Sequence, residues 1–595
     1  MWVGWPDARE DPERVTAPRK SARSVVGDLP LWGALLLLAL FVASQYGDAR
    51  TVPFINDDYV FLDKTRAASF TSLWEPRALA FYWYRPWSRE LHYWTLQKLF
   101  GAHELPFHLA SFALALAVLV GYFALVRRIA GARVAAIATA GWAALAAWAV
   151  PMVWVAGVQD LWMLLFAVLC VSAAAIGSRW GSAGALLLAL LSKESAAVLP
   201  FVVMAYHVLI HGRSPSDALR RTAPLWIIVV VWAFFHPLLG GRLWRPLEDA
   251  APPGLKPPWL TVLGRTITMP FNLDIWPAPE RGWWMPIARG AIGGALLVTL
   301  MVWGSRAGRR PRAASEPQGV GPFGVVWAAA GWLPLLMPGL GWHNYYALLG
   351  AAGAWLALGV ALARRPGAAV AVVALLALLR GARADTPSRD WGSEWYQRRA
   401  ASFIDYMRAD LLRRHPTLPP HSRLYFVRVP SNVGFLTGDG PALRIWYGDP
   451  SLRGGYYPTY RPRGENEPDG PDLFFRFDST TGWVPVRSGR ENVAAAREAN
   501  PRWMTDHEVL AQTLARGGDW HAAIAEYVKL AGAESLRVEF AYNAGVCYET
   551  AGDSTQAARW YARAASLPGA DAEVRATARR FARHLPGSRR ERRSR

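Results

Sequence analysis

The sequence predicts an all-α polytopic membrane bundle of about eleven transmembrane helices, followed by a soluble α+β segment and a set of repeat helices. Three observations predict this architecture. Long apolar runs alternate with short basic loops from Leu29 to Arg383, the composition becomes that of a soluble protein after Asp385, and a Gly-Asp pair recurs near the C-terminus. The predicted membrane domain covers residues 29–384.

Eleven apolar runs are transmembrane candidates, because about 20 apolar residues span a bilayer and shorter helices fit inside a bundle. The fifth run is short and could be half of a broken helix shared with the sixth. The runs are 30–46, 106–127, 133–150, 158–177, 182–192, 195–211, 222–240, 286–304, 321–338, 342–363 and 367–384.

Basic residues predict the orientation of these runs. The Arg- and Lys-rich segment 1–28 is expected to be cytoplasmic, and the run after it lacks a cleavage signal and should remain as an anchor. Every second connection is basic, namely 127–133, 178–181, 212–221, 305–320 and 364–366. The positive-inside rule therefore predicts a multi-pass protein of the inner (plasma) membrane. Its N-terminus is cytoplasmic and its C-terminus is periplasmic or otherwise extracytoplasmic.

The net charge of +20 lies largely in these loops and in an Arg-rich tail. Residues 586–595 of that tail are expected to be a solvated, disordered end. Aromatic and basic residues do not interleave along a surface, so a nucleic-acid partner is not expected. Cys170 lies in an apolar run and Cys547 in the soluble part, so we expect no disulfide between them.

The soluble part divides into two predicted regions. Residues 385–500 contain short apolar runs at 424–427 and 473–475, which indicate strands in an otherwise unnamed fold. Residues 505–585 show a period of 34 residues, which is typical of tetratricopeptide repeats. An unrelated helical hairpin is the alternative. The matched positions are Gly518 with Gly552, Asp519 with Asp553, Ala523 with Ala557, and Tyr527 with Tyr561.

Two long connections are predicted outside the membrane, at 47–105 and 241–285, and both are rich in Trp, Tyr and Pro. The first contains Asp57 and Asp58 in the stretch Asn-Asp-Asp-Tyr. Adjacent carboxylates beside a membrane are costly without a purpose, although a solvated turn that begins a helix is the alternative. The same loop carries Arg85 in an aromatic segment, for which an interfacial helix is the alternative. The second loop carries Arg265.

Further polar residues interrupt the apolar runs on the same predicted side. Asp160 begins the fourth run, and Lys193 and Glu194 separate the fifth from the sixth. A central Asp or Lys costs about 2.5–3.5 kcal/mol on insertion scales, so these side chains must face a wet cavity or mark a turn. A structural ion pair is the alternative. His343 and Tyr345 begin the tenth run.

In order and sidedness these motifs resemble the GT-C superfamily of membrane glycosyltransferases. The resemblance rests on the acidic pair, the Arg-Pro segment, a Phe-His at the second span and the later Ser-Lys-Glu. The pattern is most similar to protein O-mannosyltransferases of the transmembrane and tetratricopeptide-repeat group and their bacterial relatives. The chain departs from the eukaryotic members at 343–346, where His-Asn-Tyr-Tyr stands in place of an Arg-Tyr pair.

The resemblance implies a polyprenyl-phosphate sugar as the donor, bound in a groove between spans, and Asp57 as the catalytic acid with Asp58 as its neighbour. A transfer to a hydroxyl needs a carboxylate base and cations at the departing phosphate. Lys193, Arg265 and His343 are the candidates for that phosphate. The other substrate-binding candidates are Arg85, Asp160, Glu194 and Tyr345.

The predicted reaction transfers a mannose-like sugar, with inversion, to a Ser or Thr hydroxyl of an exported protein that the repeats could help to bind. Transfer to a lipid or cell-wall glycan is an alternative. A non-catalytic scaffold and a transporter are alternatives of another class, although transporter sites tend to lie near the midplane. A divalent metal that bridges carboxylate and phosphate is an option, but these acids form no recognisable ligand set.

Overall fold

The computed structural model describes most of the bundle and of the soluble part. The described residues are 31–76, 83–236, 258–307, 319–336, 342–388, 390–427, 429, 439–456, 467–478, 480–486, 503–533 and 536–582. The predicted cytoplasmic segment 1–28, the tail 586–595 and residues 241–257 of the second outside loop lie outside this set.

Each of the eleven apolar runs contains helix, with boundaries a few residues from the predicted ones. The helices are Leu31–Tyr46, Glu104–Ala130, Ala132–Ala143 with Ala149–Val153, Val158–Ala175, Arg179–Leu190, Leu199–Leu209, Pro215–Phe235, Trp284–Ala307, Val320–Trp332, Leu348–Leu362 and Pro366–Ala384. Within the described residues, seven helices are long and apolar enough to cross a membrane, or eight if a bent pair is one span. The polytopic helical prediction is confirmed, and the count of eleven spans stays a prediction.

The third run is the bent pair: Ala132–Ala143 meets Ala146–Val153 at 62°. A break inside a membrane domain exposes backbone groups that only protein can satisfy. The amide of Asn272 does so here. Its Oδ1 accepts from the backbone N–H of Ala146 at 2.8 Å, and its Nδ2 donates to the carbonyls of Ala144 and Leu376 at 3.0 Å each.

The first outside loop is folded. It contains Asp57–Arg66, which we call the loop helix, a π-helical turn at Pro86–Leu91, and the helix His92–Phe100. The turn is buried at Arg89 and Glu90, whereas Leu99 and Phe100 are exposed. The alternative of an interfacial aromatic helix therefore fits only the end of this segment.

The soluble segment after the last span packs on the bundle. Its described residues form the helix Glu394–Arg414, the helix Pro441–Tyr447, which we call the clamp helix, and four strands, Arg423–Val427 (β1), Arg453–Tyr456 (β2), Asp472–Asp478 (β3) and Gly482–Val486 (β4). The sheet order is β2-β1-β3-β4, with β1 parallel to β2 and β3, and β4 antiparallel to β3. The predicted strands are confirmed. Leu424, Phe426 and Phe475 belong to the same apolar core as the bundle.

In the described part of the C-terminal region there are five short helices, at Trp503–Arg516, Trp520–Ala533, Val538–Thr550, Ser554–Ser566 and Ala572–Phe581. Gly518 and Gly552 each have a positive φ where one helix ends. Asp519 and Asp553 then cap the next helix, because each carboxylate accepts a backbone N–H three residues on. The apolar clusters of these helices are separate from the bundle core. The tetratricopeptide assignment stays a prediction.

Candidate functional site

The acidic pair begins the loop helix, and its two carboxylates have different surroundings. Asn56 precedes them with φ 50° and turns the chain into the helix. Asp58 is fully buried and accepts three hydrogen bonds. They come from the backbone N–H of Ile55 (2.9 Å), the backbone N–H of Ala156 (2.8 Å) and the Tyr93 hydroxyl (2.7 Å). These bonds tie the start of the loop helix to the bundle.

Asp57 is half-buried. In the part of the chain that the structure describes, its carboxylate makes no hydrogen bond or ion pair. Burial raises the pKa of Asp57 to about 6, and the positive charges of Arg89 and Arg85 oppose the rise. Burial also raises the pKa of Asp58 to about 7, against the effect of its hydrogen bonds. Asp57 is therefore the carboxylate of the pair that is available to a substrate.

Arg85 links the first outside loop to the break between the fifth and sixth apolar runs. Its Nε lies 3.0 Å from both carboxylate oxygens of Glu194, and its Nη2 donates to Glu194 Oε2 at 2.6 Å. Its Nη1 donates to Gln159 Oε1 at 2.8 Å. The fork geometry matches the bidentate pairing that guanidinium and carboxylate favour. Three segments far apart in sequence thus meet at one guanidinium.

Lys193 forms a second ion pair beside the first. Its Nζ lies 2.6 and 2.7 Å from the two carboxylate oxygens of Asp160. The same ammonium lies 4.1 Å from the ring centroid of Tyr346 and 5.3 Å from that of Tyr345. Cation–π contacts of this length are attractive and hold the ammonium at the ring faces. The ion pair considered from the sequence joined Lys193 to its neighbour Glu194, whereas in the structure Lys193 pairs with Asp160 and Glu194 pairs with Arg85.

These groups form one cluster with the acidic pair. The charges of Asp57 and Asp160 act on both Tyr345 and Tyr346, and the charge of Arg85 acts on Tyr346. The structure thus brings together seven of the nine predicted residues. They are Asp57, Asp58, Arg85, Asp160, Lys193, Glu194 and Tyr345.

His343 and Arg265 lie in an adjoining group around Asp390. The His343 Nδ1 and the Asp390 Oδ1 are 2.8 Å apart, and the charge of Arg265 also acts on Asp390. Although burial acts to raise the pKa of Asp390, the hydrogen bond and charge of His343 hold it below its ordinary value. The His343 ring also packs on Tyr346, with centroids 5.2 Å apart, which joins this group to the first.

Several residues of the site were not predicted from the sequence. Asp390 and Trp391 come from the soluble segment, and the Trp391 ring lies 3.9 Å from that of His343. Their only sequence signal is their place just after the last span. Gln159 and Tyr346 lie next to predicted residues, and their amide and ring could have been included on that ground.

Two of the predicted cations, Arg85 and Lys193, are already paired with carboxylates. Lys193 was expected to bind a donor phosphate, yet its ammonium holds both oxygens of Asp160, and Arg85 holds Glu194. Asp160 and Glu194 therefore serve as counter-charges in this structure, so their role toward a substrate stays a prediction.

For a metal, the donor set does not fit. Within the described ranges, no group of three or more His, Cys, Asp and Glu side chains could hold an ion. The Asp58 oxygens already accept hydrogen bonds from Ile55, Tyr93 and Ala156. No catalytic step through a metal follows from this arrangement.

A scan against models of protein families finds no match, and a search of curated proteins finds none either. Among solved structures, the chain is similar to ArnT from Cupriavidus metallidurans bound to undecaprenyl phosphate, with 17% identity, a TM-score of 0.38, and coverage of 71% of this chain and 85% of that one. It is also similar to the Archaeoglobus fulgidus oligosaccharyltransferase complex with Zn and sulfate, with 11% identity, a TM-score of 0.35, and coverage of 71% and 62%.

Proposed function

We propose that the chain is a membrane glycosyltransferase of the GT-C type that uses a polyprenyl-phosphate sugar and inverts the anomeric centre. The observation that carries the proposal is the half-buried Asp57 carboxylate, which makes no hydrogen bond or ion pair among the described residues and lies beside a cluster of paired cations. A carboxylate in this setting, with its pKa raised to about 6, can take a proton from an acceptor hydroxyl. The sequence resemblance to this superfamily supports the same role for Asp57.

In the proposed reaction, Asp57 accepts the hydroxyl proton as the acceptor oxygen bonds to the anomeric carbon. The bond from that carbon to the phosphate oxygen breaks, and the polyprenyl phosphate leaves with the electron pair. Cationic groups stabilise the charge that develops on the phosphate. Arg265 and His343 are our first candidates for this role because neither is held bidentately by a carboxylate, whereas Lys193 is.

For the acceptor, we propose a Ser or Thr hydroxyl of an exported protein and a mannose-like sugar. The C-terminal helices support a protein acceptor, since repeats of the predicted type bind peptide segments. The orientation predicted by the basic loops places the site outside the cytoplasm. A lipid or cell-wall glycan acceptor competes with this proposal and enters the test directly.

The test is sugar transfer by the purified full-length protein in lipid nanodiscs, with labelled polyprenyl-phosphate sugars and with peptide, lipid and glycan acceptors. The Asp57→Asn variant keeps the shape of the side chain but cannot accept the proton. We expect it to lower kcat by ~10²–10⁴-fold with an unchanged unfolding temperature.

The matched control is Asp48→Asn. Asp48 lies in the same loop and is paired with Arg398 and Arg289 on the surface, so its loss should leave transfer intact. Equal activity in Asp57→Asn and the parent protein would contradict the assigned base. Inactivity of the parent with every donor would contradict the proposed reaction, in favour of the scaffold alternative.

A further inference from the structure

The clamp helix of the soluble segment contacts the helix that carries Asp57. Arg444 donates from Nε to Asp63 Oδ2 at 2.9 Å, and its Nη2 lies 2.8 Å from the same oxygen. In return, Arg66 Nη1 donates to the backbone carbonyl of Arg444 at 3.0 Å. The contact is therefore reciprocal, and it joins residues separated by 381 positions in the chain.

A second contact lies one turn nearer to the acidic pair. Trp446 Nε1 donates to the Tyr59 hydroxyl at 3.1 Å, and the two rings meet edge to face with centroids 5.7 Å apart. Tyr59 and Asp63 are four residues apart, so they lie on the same face of the loop helix. The clamp helix therefore makes both contacts with the same face of the loop helix.

The clamp helix is itself fixed. Arg444 is buried, and its Nη1 also donates to the carbonyls of Asp439 (2.7 Å) and Leu452 (3.1 Å), on either side of the helix. The guanidinium of Arg444 thus joins the loop helix to the chain segments on both sides of the clamp helix. Because a short helix moves as a rigid unit, two contacts on one face set both its rotation and its position along the axis.

We infer that Arg444 and Trp446 are positioning residues that aim the Asp57 carboxylate. This inference rests on the proposed function. Asp58 fixes the N-terminal end of the loop helix to the bundle, and the clamp helix fixes the following turns. Asp57 itself has no described partner to orient it, so its direction depends on how the helix is held. A misplacement of about 1 Å can cost on the order of 10²-fold in rate.

The test changes Asp63 rather than Arg444, because Asp63→Asn spares the bonds by which Arg444 fastens its own segment. We expect Asp63→Asn to lower kcat about tenfold while the donor KM is unchanged, and Asp63→Glu to recover part of the loss. Hydrogen exchange should become faster in peptides that cover residues 55–66. Trp446→Phe, which keeps a ring but removes the donor, should have a smaller effect in the same direction.

Asp48→Asn is the matched control. Asp48 forms another ion pair between the first outside loop and the soluble segment, with Arg398 at 3.0 Å, and Arg398 belongs to the helix Glu394–Arg414 rather than to the clamp helix. We expect this variant to keep kcat and the exchange of residues 55–66. Equal losses in both variants would show general loosening and overturn the inference, as would an Asp63→Asn enzyme with parental kcat. If the parent protein transfers no sugar while exchange still distinguishes the two variants, the proposed function fails and the mechanical coupling stands.

Discussion

The two neighbouring carboxylates Asp57 and Asp58 have different surroundings, which support the different roles that we propose for them. Asp58 uses its oxygens to satisfy two backbone N–H groups and a tyrosine hydroxyl, and a buried donor left without an acceptor costs about 1–3 kcal/mol. The Asp57 carboxylate accepts no hydrogen bond within the described residues. Instead, burial raises the pKa of Asp57 to about 6. A carboxylate with this pKa is a stronger base than an ordinary one, as the proposed role requires.

The pKa of Asp57 predicts the pH dependence of transfer. Burial raises this pKa to about 6, and only the ionised carboxylate can accept a proton. The value of kcat/KM should therefore be level near neutrality and fall about tenfold per pH unit below about 6. Initial rates from about pH 5 to about pH 8 measure this limb. The residual activity of Asp57→Asn should lack it, and a parent profile with no acid limb would contradict the assignment.

The sequence predicted most individual residues of the site but not their pairing. Asp160, Lys193 and Glu194 were recognisable because charge inside an apolar run is costly. Nothing local shows that Arg85 pairs with Glu194 or Lys193 with Asp160, since their partners lie 109 and 33 residues away. Asp390 has no such signal, because a charged residue in a soluble segment is ordinary.

At the scale of elements, hydropathy predicted the helical runs and could not predict the bend in the third. The hydropathy of an apolar run is the same whether its helix is straight or broken. The bend at 144–146 is stabilised by Asn272, which lies 126 residues from Ala146. A hydropathy window covers only neighbouring residues and cannot detect such a contact. The clamp helix could not be predicted either. Its contacts are with Tyr59 and Asp63 of the first outside loop, and no local pattern in residues 441–447 indicates such distant partners.

The side chain of Asn272 should be a main support of the bent span. Its amide satisfies three backbone groups, and its own φ is 58°, a conformation that glycine tolerates. Asn272→Gly therefore removes the amide without adding backbone strain. We expect it to lower the free energy of unfolding by about 2–3 kcal/mol, measured as a lower unfolding temperature in detergent.

Asn344→Ala is a suitable comparison for that measurement. Asn344 is also buried near a helix start, but among the described residues its Oδ1 has no hydrogen-bond partner. Its replacement should cost less stability than Asn272→Gly. Equal losses would show that the amide contacts of Asn272 contribute nothing specific to the bend.

At the scale of the whole molecule, the soluble part divides by how it is packed. The sheet and the helix Glu394–Arg414 share the core of the bundle, whereas the five C-terminal helices have cores of their own. Repeat-like helices depend mainly on their immediate neighbours. The first region is therefore part of the same packed body as the bundle, and the second should be dispensable for the folding of that body.

Deletion of residues 503–595 should leave the unfolding temperature of the bundle and the donor KM unchanged. If the C-terminal helices hold a protein acceptor, its KM should rise about tenfold because a tethered binding site raises the effective concentration of its ligand. A short peptide acceptor that cannot reach the helices is the control, and its KM should not change. Loss of donor binding would show instead that these helices support the bundle.

The pairing of the two described cations of the cluster determines how an anion could bind to them. Arg85 and Lys193 are paired with the carboxylates of Glu194 and Asp160, so each buried positive charge is neutralised by its partner. Under the proposed function, a phosphate that reached these cations would displace a paired carboxylate. Its affinity would then equal the difference between two pairings, and the displaced carboxylate would repel the anion, which would favour release of the proposed lipid phosphate product.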